Sequence, residues 1–178
     1  MKRSILFLTV VFFMILYIPM TSIAQTSGRP IQIALFHPVQ IYDKDTSITG
    51  VRINIIYGCN QDVFGLDCGF VNKLEGDLQG VQTGLVNIVE GDVNGYQDGF
   101  VNLVGGNFTG MQHGFVNITQ GQFVGLSSGL CNFSDSMSGI QFGLVNITKN
   151  LNGLQIGLVN CNLEGEPFKF LPIVNYSF

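Results

Sequence analysis

One phrase recurs down this chain with a glycine at its head: GVQTGLVN, GYQDGFVN, GMQHGFVN, GIQFGLVN and GLQIGLVN. Aligned on that glycine, eight units open at Gly50, Gly65, Gly80, Gly95, Gly110, Gly125, Gly139 and Gly153, with five spacings of 15 residues and then two of 14. A period this strict decides the fold before any local propensity does. Counting the glycine as position 1, position 2 is always apolar. Position 3 is glutamine in five units, at Gln82, Gln97, Gln112, Gln141 and Gln155, and position 5 is glycine from the second unit onward. Positions 6 and 7 form an apolar pair, and position 8 is asparagine in seven units: Asn72, Asn87, Asn102, Asn117, Asn132, Asn146 and Asn160. Position 9 is usually Ile, Leu or Phe. Two residues before each next glycine the chain is apolar again, at Val63, Leu78, Val93, Phe108, Phe123, Met137 and Leu151.

No 3.6-residue period fits this pattern, whereas short β segments joined by glycine turns do. The chain is therefore all-β, and two architectures compete. In a β-solenoid of about eight 14–15-residue coils, identical positions stack about 4.8 Å apart. In an antiparallel meander or a small outer-membrane barrel, neighbouring strands run in opposite directions. The asparagine separates them. A buried amide is costly unless it is bonded. Stacked in register, each amide donates to one neighbour and accepts from the other, as in cross-β ladders. The solenoid is the reading we adopt, with position 7, position 9 and the apolar residue near each unit's end as its core. Strict alternation puts positions 2, 4 and 6 on one face. Position 4 runs Cys68, Thr83, Asp98, His113, Ser128, Phe142, Ile156. Either that face is outward and unusually apolar, or the glycine at position 5 breaks the alternation.

What flanks the array bears on where the chain works. Lys2 and Arg3, the apolar run from Ile5 to Ile18, and Ser22-Ile23-Ala24 have the order of a cleaved leader. This reading gives a signal peptide over 1–24, an N-terminal capping segment over 25–49, the repeats over 50–163, and a C-terminal capping strand over 164–178. It implies export to the cell surface, the outer membrane or the medium. Beyond residue 24, six basic residues stand against 12 acidic ones, a net charge of −6 with histidine neutral. No basic patch exists, which argues against nucleic acid and anionic lipid as partners. The four cysteines, Cys59, Cys68, Cys131 and Cys161, fit no metal spacing. Cys59–Cys68 is the first disulfide to consider, and Cys131 and Cys161 read as core thiols.

The G-apolar-Q-x-G-apolar-V-N units resemble a family of exported bacterial surface-repeat proteins first noted in leptospires. The resemblance covers Gly50 to about Asn162, and GVRINIIYG is similar to that family's opening unit. It implies an exported or surface location and brings no catalytic residues.

Chemistry is thinly represented. Hydrolysis needs a nucleophile, a base and an orienting acid that converge. The two histidines are His37, before a proline, and His113, at the variable position 4. No catalytic residue and no cofactor is expected. Asp62, Asp77 and Asp92, with Glu75 and Glu90, stack on one edge in a solenoid and are weak calcium candidates, since stacked carboxylates need screening or a cation. Phe168, Phe170, Val174, Tyr176 and Phe178 share one parity. They read as a strand capping the core or as the terminal signal of an outer-membrane barrel. The functional expectation is a non-enzymatic repeat protein of a bacterial envelope that meets an unidentified protein or surface partner. The alternative is a small outer-membrane β-barrel, structural or a pore.

Overall fold

The computed structural model describes residues 29–165 and 168–178. The leader read over 1–24 lies outside the described residues. Among the described residues nine strands form one sheet in the order β2-β1-β3-β4-β5-β6-β7-β8-β9. They are β1 (Arg29–Phe36), β2 (Val39–Gln40), β3 (Ile48–Asn60), β4 (Val63–Leu74), β5 (Leu78–Val89), β6 (Val93–Val104), β7 (Phe108–Phe142), β8 (Val145–Asn162) and β9 (Phe170–Ser177). From β1 and β3 through to β8 every pairing is parallel. β2 and β9 pair antiparallel, one at each end of the described sheet. Like stacks on like: Gly80 pairs with Gly95, Gln82 with Gln97 and Asn87 with Asn102. The chain is a parallel β-solenoid, and the antiparallel meander does not occur.

The corners explain the glycines. All eight opening glycines adopt positive φ, between 131° and 146°, a region in which side chains are strained. A Cβ on Gly110 would also run into the carbonyl oxygen of Gly95, one coil earlier. Gly50 is packed in the same way against Pro30, because β1 stacks on β3 with Gln32 beside Arg52. The stretch read as an N-terminal cap therefore carries a strand of the solenoid, followed by a loop that covers its end. In that loop Tyr42 packs against the core, and its backbone exchanges two hydrogen bonds with the Gln32 amide.

The core is built from other positions than two of those expected. The residue near each unit's end is buried as predicted, from Val63 to Leu151. Positions 7 and 9 are not core: Val86, Ile88, Val101 and Leu103 are half-buried. Position 10 takes their place, with Leu74, Val89 and Val104 in the apolar cluster. The reason is parity. The asparagine at position 8 points inward, so its neighbours point outward and position 10 turns back in. Phe108 and Phe123 stack inside the coil, their ring centroids 4.7 Å apart. Positions 2, 4 and 6 face outward, which resolves the ambiguity in favour of an apolar outer face. Strand β9 pairs with β8 but turns its aromatic parity outward: Phe170, Val174 and Tyr176 are exposed, and Asn175 is buried. The strand covers the array's end with an amide, not with the aromatic residues.

Glycine at a corner is thus required twice, by φ and by space. Gly110→Ala is expected to destabilise the fold by about 3 kcal/mol or more. Chemical denaturation would measure it, with the outward Val124→Ala as a control costing under about 1 kcal/mol.

Candidate functional site

Three columns of polar side chains run along the solenoid, and they account for most of the repeated letters. The asparagine column is continuous. Each Nδ2 from Asn72 to Asn146 donates at 2.8 Å to the Oδ1 of the asparagine in the next coil. The same Nδ2 donates to the position 4 carbonyl of that coil, at Thr83, Asp98, His113, Ser128, Phe142 and Ile156. The seven predicted ladder residues therefore meet as expected, buried throughout. Glycine at position 5 follows from them. A Cβ on Gly99 or Gly114 would press on the asparagine amide of the preceding coil. The ladder keeps contact where units shorten: Asn117 bonds Asn132 fifteen residues on, and Asn132 bonds Asn146 fourteen on.

A second column was visible in the sequence as a repeated glutamine but not read as interior. Gln97 and Gln112 each donate at 2.7 Å to the glutamine one coil earlier. This column donates toward the N-terminus, whereas the asparagines donate toward the C-terminus. Its N-terminal donor needs an acceptor, and Gln82 finds Asp67 at 2.7 Å. Asp67 is fully buried and held by Arg52 in a two-bond fork, Nε to Oδ1 and Nη2 to Oδ2, both at 2.7 Å. Arg52 and Asp67 occupy position 3 in the first two units, where later units carry glutamine. Ser127 interrupts the column, and Gln155 resumes it by donating to Gln141. At the far end Asn175 of β9 donates to Gln155 at 3.3 Å.

The third column is the acidic turn. Asp62 Oδ1 accepts the backbone N–H of Asp77, Asp77 that of Asp92, and Asp92 that of Asn107, at 2.7–2.8 Å. Each position 13 carboxylate so caps the next turn. Glu75 and Glu90 are taken by Lys44 and Lys73, at 2.9 Å and 2.8 Å. Those hydrogen bonds raise both ammonium groups above the usual lysine range. The five calcium candidates already have partners, and among the described residues no group of three or more metal-ligating side chains is placed to hold an ion.

The four cysteines are free. Cys59 and Cys68 lie on different sides of the coil, opposite Lys73 and Ile53 respectively, so the expected pair does not form. Burial raises both thiols above the ordinary range. Cys131 and Cys161 are half-buried on the outward parity and are not core thiols. His37 stands edge-on to Tyr57, with centroids 6.3 Å apart.

The feature left for recognition is the outer surface. An open groove of about 500 Å³ runs along it between columns 4 and 6, over the backbone of the glycine column. Asp98, His113 and Ser128 follow one another along one wall, and Phe100, Phe115 and Leu130 along the other. The Phe100 and Phe115 rings stack at 4.7 Å. Column 6 is exposed throughout, from 37% at Leu130 to 66% at Leu158. Columns 7 and 9 make a second, half-buried apolar face, with Ile88, Leu103 and Ile118 along a shallow groove of about 390 Å³. Among the described residues no helix is long and apolar enough to cross a membrane. No protein-family model, curated protein or solved structure matches the chain.

Two substitutions test the columns. Asn117→Ala leaves the Asn102 donor and the Ser128 carbonyl short of a partner, and is expected to cost about 1–3 kcal/mol. Arg52→Ala strands the Asp67 carboxylate inside the coil and is expected to cost about 3–5 kcal/mol. Urea unfolding midpoints at constant slope would rank them.

Proposed function

We propose that this chain is a non-enzymatic, exported repeat protein whose regular outer β surface serves adhesion or interaction. The observation that carries the reading is the outward placement of the large apolar side chains. Phe70, Leu85, Phe100, Phe115, Leu130, Leu144 and Leu158 are 37–66% exposed in one continuous column, while the position 3 glutamines and position 8 asparagines are inside. A contiguous apolar surface of this extent marks a place of contact rather than a solvated wall. The resemblance to exported surface-repeat proteins and the leader-like N-terminus support the location. The acidic balance supports a partner that is neither nucleic acid nor anionic lipid.

Attachment of protein-coated beads to alkylated glass, scored under flow, tests the reading. Glutamate at Leu85 and Leu130 alters the first face; glutamate at Ile88 and Ile118 alters the second. All four side chains point outward, so stability should move by less than about 1 kcal/mol per site. At least one of the two sets should reduce attachment tenfold or more. Attachment unaltered by both sets, with the fold intact, would sink the proposal.

A further inference from the structure

Along the grooved face the order of side chains reads nearly the same from either end. Ile53 stacks on Cys68 in register and so belongs to column 4. The column then runs Ile53, Cys68, Thr83, Asp98, His113, Ser128, Phe142, Ile156. Folded about the point between Asp98 and His113, it pairs acid with base, hydroxyl with hydroxyl, Cys68 with Phe142, and isoleucine with isoleucine. Column 6 folds about the same point. Phe100 meets Phe115, Leu85 meets Leu130, Phe70 meets Leu144, and the Ile55–Ile56 bulge meets Leu158. Nothing in the inner columns needs this order, because Asn at position 8 is the same in every coil.

We infer that the face is covered by a second copy of this chain, docked antiparallel about a two-fold axis that passes between the Asp98 and His113 coils. This rests on the reading of the outer surface as the working surface and assigns a partner to one of its faces. The inferred axis lies in the interface plane, along the strands and perpendicular to the solenoid, so it reverses the coil order and keeps each column opposite itself. Every contact then occurs twice, as an isologous interface requires. Asp98 of one copy faces His113 of the other, and the reverse. The axial repeats match because both surfaces are built on one strand spacing. The other two-fold arrangement, with the axis along the solenoid, sets coil against like coil. Centred on column 4, it places the Asp98 carboxylate against the Asp98 carboxylate, which like charge disfavours. Within the chain, neither Asp98 nor His113 takes part in an ion pair among the described residues. The exposed Phe70, Phe100, Phe115 and Phe142, at 45–63%, supply the apolar area.

Sedimentation velocity on the purified protein over a wide concentration range tests the docking. A concentration-dependent dimer is expected. Phe115→Glu should weaken it at least 100-fold with the melting temperature held. Asp98→His alone sets imidazole against imidazole across the interface, and His113→Asp alone sets carboxylate against carboxylate; each should weaken the dimer about tenfold. The exchange of both, Asp98→His with His113→Asp, should restore it to within a few-fold; about an axis along the solenoid, Asp98→His alone would remove a carboxylate–carboxylate contact and tighten the dimer instead, which also overturns the inference. A monomer at every concentration overturns the inference, as does a dimer indifferent to Phe115→Glu or an exchange that fails to restore. A monomer that instead co-sediments with phosphatidylcholine vesicles overturns it in favour of a lipid surface. A monomer that still attaches through either apolar face overturns the second copy alone and leaves the adhesion reading standing.

Discussion

The asparagine at position 8 and the glycine at position 5 form one interaction, and the rest of the coil is arranged around it. The amide gives both hydrogens to the next coil, one to its fellow asparagine and one to the position 4 carbonyl. Its oxygen receives the hydrogen of the coil before. That carbonyl sits beside position 5, so a side chain there would push into the amide. Neither residue can change without the other group losing space or a partner. Buried amides that satisfy their hydrogens and oxygen in this way do not carry the desolvation penalty of an isolated polar group. The coil can therefore be narrow, with an interior half apolar and half amide.

Ladders of this kind have a direction, and direction creates an end problem. The glutamine column leaves a donor unmet at its first member and an acceptor unmet at its last. A neutral acceptor would suffice for the first, yet the chain uses a carboxylate, Asp67. That carboxylate also accepts from Arg52 and from Asn54 at 3.0 Å, and the guanidinium brings its charge to balance. The far end is lighter, closed by the single amide of Asn175. The glutamine column thus ends where its hydrogen bonds are handed to unlike partners, Asp67 at one end and Asn175 at the other.

The sequence made legible whatever the period repeats without ambiguity. The asparagine column, the turn glycines and the apolar residue at each unit's end all fall where the spacing puts them. Parity at positions 6 to 10 was not legible, because the corner between Phe70 and Val71 spends two successive residues outward. After that reset, Val and Ile at positions 7 and 9 look like core and are not. Position 10 was hidden for a different reason. It drifts from Leu74, Val89 and Val104 to Thr119, Ser134 and Thr148, so no single residue type announces it. The glutamine column and its Arg52–Asp67 end were written plainly, as five glutamines preceded by one base and one acid, but a charge pair looks superficial until its burial is known. The first coil, around Gln32, lacks both the opening glycine and the asparagine, and the period cannot reach it.

The inversion of polarity follows from size. A coil of 14 or 15 residues encloses little more than one side chain from each wall, and two of its inward columns are amides. Apolar residues beyond the few that fit at positions 10 and 14 have no interior to enter. Their place on the outside is a consequence of the amide columns, not a failure of burial. The consequence has a use. Inside, each letter is fixed by the coil above and the coil below, so the columns carry no information about anything but stacking. Outside, at position 4 above all, a substitution disturbs no ladder. The run from Ile53 to Ile156 can then differ at every coil while the backbone beneath it does not. A chain so repetitive has few places to encode a partner, and the outer wall of the groove is where the structure leaves one.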